Sequence, residues 1–367
     1  MAGTRGKHSA EYVDISSNTQ VTKIYKKKGR VKRVLALILA ILCMVSGGGL
    51  IYYYNALDSM NFIPEETQAT KPKSTEPTGA SGVDEFKTPV TDSSLLTNSK
   101  VLNVMLFGED NGKGSTGRSD SMIMASIDNK SKKIKLTSFQ RDTYVVIPGH
   151  GNGKLNSSYS LGGASLAIRT IEANFGVKVD RYAVVDFNSF KKIIDTLGGV
   201  TMNIDQDEAV YINWQLRKNN QTGSCPLVPE KTGKVKLNGQ QALWYARDRG
   251  ADGVQAGDDW DRTSRQRKLL ETVFNSMKGA SITQIIQIVS EVGPLVTTNL
   301  KKNEITGLVS HSLTYMKYGV KQYTVPQDGL WVYYTDPEAG SCIQITDMEK
   351  CRKKFAKFVF GSLIKTM

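Results

Sequence analysis

The chain has 367 residues, of which 40% are hydrophobic and 23% charged, with a formal net charge of +13. That apolar share supplies a sizeable core and excludes an intrinsically disordered protein. The charge is unevenly placed: residues 1–33 hold nine Lys or Arg against Glu11 and Asp14, so +7 of the excess sits in one short tail and does not describe a basic nucleic-acid-binding domain.

That tail runs through Lys26, Lys27, Lys28, Arg30, Lys32 and Arg33 into Val34–Tyr54, 21 residues without a charge, which is long enough to span a bilayer. Asp58, Glu65 and Glu66 follow, with no Lys before Lys71. The asymmetry orients the span with its N-terminus in the cytoplasm and everything after about Asn55 outside. The run is longer than a signal-peptide core and lacks a clear small-residue cleavage site, so it is predicted to be an uncleaved anchor holding the protein to the cell membrane. Residues 55–99, rich in Thr, Ser, Pro, Lys and Glu, are predicted to be a flexible stalk.

The folded domain is predicted to occupy residues 100–367. Val101–Gly108 is an apolar run ended by glycine, as expected of a buried strand, and Ser121–Ile127 with Lys133–Phe139 form a hairpin about the turn Asp128–Ser131. Gly162–Phe175 carries helical spacing, with Gly176 as its stop; Tyr182–Asp186 is a strand, Phe187–Leu197 a helix and Val200–Ile204 a strand. Helices at Arg262–Met277 and Ile282–Val292 precede late strands at Lys321–Val325 and Leu330–Tyr334. Alternating strands and helices predict one α/β domain with a central mixed sheet flanked by helices. Outside the membrane, Cys342 and Cys351 are the expected pair among three cysteines because both belong to one C-terminal segment, whereas Cys43 lies in the span. With only His8, His150 and His311 and no CxxC pair, zinc is not expected.

Four stretches carry the chemistry. In the glycine-rich loop at residues 108–121, Asp110 follows one strand and Asp120 begins the next, so two carboxylates converge at one sheet edge. Carboxylate oxygens beside substrate phosphates suit Mg²⁺, and a solvated turn would use the same residues. The hairpin returns Arg141 to that edge. In WYARDRG, read as a strand, Arg247 and Arg249 share one face; paired guanidiniums suit a phosphate or pyrophosphate between them, or a surface ladder answered by Asp248 and Asp252. In residues 258–277, stepping back from Leu269 and Val273 by helical spacing puts Gln266 and Arg262 at the head of an apolar stripe, in turns that favour anions, while Asp258, Asp259 and Asp261 are also available as caps. Arg118 and Arg265 are further cationic candidates. No GxSxG elbow or P-loop is present, so metal-assisted phosphoryl chemistry fits better than hydrolysis by a triad.

The ordered set GED, GRSDSM, FQRDTYV, KLNSSYSLGG, VVDFNSFKKIIDTLGGV, LNGQQALWYARDR and DDWDRTSRQR resembles the LytR-CpsA-Psr family of bacterial cell-wall polymer ligases over roughly residues 100–280. The resemblance implies transfer of a phospho-glycan, such as a teichoic acid or capsular polysaccharide, from a polyprenyl pyrophosphate carrier to a peptidoglycan hydroxyl. It implies Mg²⁺ on Asp110 and Asp120, with pyrophosphate bound by Arg141, Arg247, Arg249, Arg262 and Gln266. Asp259 stands where the family has an acidic residue near the head group, and Asp120 or Asp259 is the candidate general base. Arg141 and Arg249 are expected to act on the reacting phosphate as well as to bind it. Glu109, before Asp110, departs from the small or hydroxyl residue common in the family. A pyrophosphate hydrolase and a lipid-binding protein without chemistry are the competing functions.

Overall fold

A computed structural model describes residues 53–64, 94–110, 117–248 and 259–361. The chain divides into two compact units, Met1–Asn55 and Ala56–Met367, and of the first only residues 53–55 are described. The predicted anchor, residues 34–54, thus lies outside the described residues save for Tyr53 and Tyr54. Among the described residues no helix is long and apolar enough to cross a membrane.

The second unit is an α/β fold. In chain order its strands are β1 (Asn61–Phe62), β2 (Val101–Asp110), β3 (Arg118–Asp128), β4 (Lys133–Phe139), β5 (Tyr144–Ile147), β6 (Gly151–Lys154), β7 (Arg181–Asp186), β8 (Val200–Ile204), β9 (Gly233–Leu237), β10 (Thr297–Thr298), β11 (Gly319–Val325), β12 (Trp331–Asp336) and β13 (Gly340–Ile345). Its helices are α1 (Leu155–Phe175), α2 (Phe187–Thr196), α3 (Gln206–Lys218), α4 (Gly239–Ala246), α5 (Asp259–Ser276), α6 (Ile282–Val292), α7 (Lys302–Ser310), α8 (Ser312–Tyr315) and α9 (Met348–Phe360). The central sheet has the order β1-β10-β7-β2-β3-β4-β11. It is mixed: β2, β3 and β4 form an antiparallel meander, while β7 runs parallel to β2 and β11 parallel to β4.

Both faces of this sheet are covered, which explains why its strands read as nearly continuous apolar runs. Alternation sends Met122 and Met124 to one side, where they meet Phe107, Ile171 of α1 and Phe355 of α9. Ile123 points the other way, toward Ile134, Leu136 and the α5 side chains Leu270 and Phe274. Full burial of such side chains stabilises the fold by about 1.5–3 kcal/mol each. A separate cluster joins α2, β8, α3, β9, α4 and α5 through Ile194, Met202, Ile212, Leu237, Tyr245 and Leu269.

Several expectations are corrected. The WYARDRG strand is not formed: Asn238 accepts a hydrogen bond from the Gln241 backbone N–H while the Gln241 side chain accepts one from the Asn238 N–H, and this capping box starts helix α4, which runs through Ala246 with Arg247 as its C-cap. Helix α1 begins at Leu155, seven residues before the expected start, and is broken where Gly163 takes φ +61°. Gly176 does stop it, at φ +71°. Cys342 and Cys351 are both free and buried, and burial pushes the Cys351 thiol up to about 12. Lying in one segment did not bring them together, because Cys342 sits on β13 and Cys351 in the first turn of α9. Within the expected stalk, Asn61–Phe62 pairs with Thr297–Thr298 as an edge strand, and Leu96 bridges Val177; residues 65–93 lie outside the described residues.

Candidate active site

The site grows from the ends of β2 and β3. Along their register Gly108 faces Ser121 and Glu109 faces Ser119, so Asp120 is the extra residue of a bulge. A bulge bends its strand and re-aims a side chain, which suits a functional position. Asp120 accordingly turns into a cleft of ≈ 900 Å³ that is also lined by Arg141, Arg247, Arg262 and Gln266.

Within the cleft, Arg141 Nη1 lies 2.8 Å from Asp120 Oδ1, and its Nε lies 3.3 Å from Asp142 Oδ2. Arg262, only 2% exposed, places Nη1 4.0 Å from Asp120 Oδ2 and donates from Nη2 to the Asp120 carbonyl at 3.4 Å. Arg247 enters from the end of α4 with its guanidinium carbon 4.4 Å from the centre of the Phe187 ring. This cation–π contact helps hold the group at the cleft wall. Gln266 lies one turn after Arg262 on α5 and donates to the Ala246 carbonyl at 3.4 Å. Arg141, Lys154, Arg247 and Arg262 thus share the cleft with the carboxylates of Asp120, Asp142 and Glu338, and the guanidinium forks offer donors that match the oxygens of a phosphate or pyrophosphate.

The stripe read from the α5 sequence continues past Gln266. Leu269, Leu270 and Val273 line an apolar cavity of ≈ 210 Å³ together with Phe190 and Ile193 of α2. Gly108, Ser121, Phe187, Arg247 and Gln266 border both the cleft and this cavity. A ligand with an anionic head and an apolar tail therefore meets both chemistries without leaving the site.

The remaining candidates fall elsewhere. Arg265 is turned away: its Nε lies 2.9 Å from Glu208 Oε1 and 3.3 Å from Asp248 Oδ2, so it neutralises two buried carboxylates. Asp110 ends β2 with its Cα opposite that of Arg118, and Asp259 opens α5; the side chains of all three lie outside the described residues, as does the whole of Arg249. Glu109 points away from the cleft toward Tyr159, and burial together with neighbouring Asp186 holds its carboxyl above the ordinary carboxylate range. Among the described residues no group of three His, Cys, Asp or Glu forms a metal cage. One or two carboxylates completed by substrate phosphates is how Mg²⁺ is commonly held, and Asp120, lining a cleft with room for a diphosphate, fits that donor set.

Sequence reasoning missed other walls. Lys154, Asn156 and Ser157 line the cleft, and all belong to the KLNSSYSLGG motif, whose sequence alone assigns its members no roles. Lys154 Nζ lies 3.3 Å from Asp142 Oδ1. Tyr211 and Gln215 come from α3, an undetected helix, where their i, i+4 spacing was the available signal. Glu338 arrives from the β12–β13 turn with no local signature.

Residues 62–352 match the model of the LytR_cpsA_psr family. The chain is 30% identical over 269 residues to regulatory protein MsrR of Staphylococcus aureus (strain COL), covering 72% of this chain and 74% of that one. It is 31% identical over 252 residues to the polyisoprenyl-teichoic acid–peptidoglycan teichoic acid transferase TagV of Bacillus subtilis (strain 168), covering 66% and 60%. Its structure superposes with a TM-score of 0.53 on TagT with bound octaprenyl pyrophosphate lipid, at 22% identity over 75% of this chain and 94% of that one, a likeness that shows a common fold.

Proposed function

The chain belongs to the LytR-CpsA-Psr family, and on that footing we propose that it transfers a phospho-glycopolymer from a polyprenyl pyrophosphate carrier to a sugar hydroxyl of peptidoglycan. The observation that carries this reading is the junction of a cleft bearing Arg141, Arg247 and Arg262 with an apolar cavity, across walls common to both. The names of the TagV and TagT relatives support the same donor class.

The reaction is an in-line displacement. An acceptor oxygen bonds to the glycan-side phosphorus as the bond from that phosphorus to the bridging oxygen breaks, and polyprenyl phosphate departs with the bridging oxygen. Arg141, Arg247 and Arg262 neutralise charge as it shifts to the bridging and leaving oxygens; their pre-set positions spare reorganisation. The attacking hydroxyl passes its proton to a carboxylate, for which Asp120, lining the cleft, and Asp259 are the candidates. Asp110 and Asp120 would hold Mg²⁺, which when bound supplies further charge neutralisation to the diphosphate. Phe187, Ile193, Leu269 and Val273 seat the prenyl chain and exclude water. The charge asymmetry about residues 34–54 supports an anchor that keeps the domain outside the cell, within reach of a membrane-borne donor.

The test is product analysis with detergent-solubilised full-length protein, a lipid-linked glycan and magnesium, with and without a peptidoglycan oligosaccharide. Acceptor-dependent formation of a glycan–phosphate–oligosaccharide conjugate is expected. Release of free phospho-glycan at the same rate without acceptor would identify a hydrolase, and no turnover would identify a binding protein.

A further inference from the structure

Tyr333 is the most exposed large hydrophobic side chain among the described residues, at 66%. Its ring meets Trp331 edge to face at 5.0 Å and 81°, and Trp331 in turn stacks on Trp260 at 4.7 Å and 24°. This aromatic ladder is bolted to the phosphate cleft at both ends. Trp260 lies in the first turn of α5, two residues before Arg262, while the turn joining β12 to β13 supplies Glu338 and Ala339 to the cleft wall. The hairpin is also fixed from behind: Tyr144 donates to Asp336 at 2.8 Å, its ring packs 5.5 Å from that of Tyr334, and Ile343 and Ile345 are buried.

Exposed aromatic clusters commonly mark recognition surfaces. Tyr and Trp offer broad contact area at small entropic cost, and their faces match the apolar C–H faces of a pyranose ring while its hydroxyls stay in water. The prenyl chain is an unsuitable occupant. Among the described residues, the walls of the apolar cavity come from β2, β3, β7, α2, α4 and α5, and no hairpin residue contributes.

We propose that Trp331 and Tyr333 form a saccharide subsite that positions the acceptor glycan strand, running outward from the cleft so that one of its hydroxyls reaches the phosphorus. This assignment rests on the transferase reading above for the identity of the glycan.

The test compares wild-type full-length protein with Tyr333→Ala and Tyr333→Trp, measuring calorimetric binding of a soluble peptidoglycan oligosaccharide, binding of octaprenyl pyrophosphate, and transfer. Tyr333→Ala is expected to weaken oligosaccharide binding by about tenfold, equivalent to about 1.4 kcal/mol, and to raise the acceptor KM with kcat and octaprenyl pyrophosphate affinity unchanged. Tyr333→Trp retains wild-type binding. Equal oligosaccharide affinity in wild type and Tyr333→Ala overturns the proposal, including the case in which activity falls only on vesicles, the pattern of a membrane contact. Wild-type protein that binds the oligosaccharide through Tyr333 without transferring to it refutes the transferase reading and leaves the subsite standing. Absence of oligosaccharide binding by wild type overturns the subsite whatever the transfer assay shows.

Discussion

Replacing Arg262 by Gln separates donor binding from folding. The guanidinium is the most deeply buried of the cleft cations, at 2% exposure, yet its contacts with Asp120 are long, 4.0 Å to a carboxylate oxygen and 3.4 Å to the carbonyl. Arg141, at 2.8 Å, remains to balance Asp120 in the variant. The substitution also relieves repulsion among Arg141, Arg247 and Arg262, and Gln preserves part of the stem volume and a donor group. The folding loss should therefore stay below the about 3 kcal/mol at which breaking a buried ion pair begins, so the melting temperature falls by less than about 12 °C for a domain of this size. In the complex, by contrast, the variant forfeits charge-assisted hydrogen bonds to phosphate worth about 1.5–3 kcal/mol. Affinity for octaprenyl pyrophosphate should fall roughly 10- to 150-fold. Titration calorimetry and thermal unfolding of the full-length protein in one detergent read both quantities. An unchanged affinity with an unchanged melting temperature would show that Arg262 does not touch the donor.

Arg265→Gln should behave in the opposite way, because it strips the counter-ion from Glu208 and Asp248; loss of about 3–5 kcal/mol is expected, seen as a melting temperature lower by roughly 6–20 °C. A variant as stable as wild type would refute the ion-pair role. Val273→Trp fills the apolar cavity, and since each displaced methylene costs about 0.8 kcal/mol, it should weaken octaprenyl pyrophosphate at least tenfold while sparing geranyl pyrophosphate; equal losses for both lipids would place the chain elsewhere. The hydrogen bonds from Arg181 hold the Glu304 carboxyl below its ordinary value of 4.5. The sign follows: wild type should exceed Glu304→Gln in stability above that pH, by about 0.5–1 kcal/mol for a partly exposed pair, and the gap should close as pH falls through the depressed value. Parallel stability curves across acid pH would contradict it.

The meander of β2, β3 and β4 was legible because both of its faces are buried, which writes uninterrupted apolar runs into the chain. The α5 stripe was legible for a related reason: Arg262, Gln266, Leu269 and Val273 recur at helical spacing, and the polar pair and the apolar pair border two joined spaces. Arg247 reached its place for a reason other than the one read from WYARDRG. Alternation suggested a strand, whereas the Asn238–Gln241 capping box upstream commits the segment to helix and delivers Arg247 as a C-cap. Arg265 shows the limit of spacing arguments, since it sits near the head of the same helix as Arg262 yet faces Glu208 and Asp248, partners that only tertiary structure brings together. Glu338 was silent because it reaches the cleft on a turn placed by long-range packing, whereas Tyr211 offered only its i, i+4 spacing with Gln215.

The central claim is that the guanidiniums of Arg141, Arg247 and Arg262 surround one diphosphate whose prenyl chain enters the cavity beside Leu269 and Val273. A crystal structure of the protein with octaprenyl pyrophosphate measures this most directly. Diphosphate oxygens within hydrogen-bonding distance of all three guanidiniums, with the chain between α2 and α5, are the expected result. A diphosphate bound away from these arginines, or a prenyl chain lying on the β12–β13 hairpin, would contradict it.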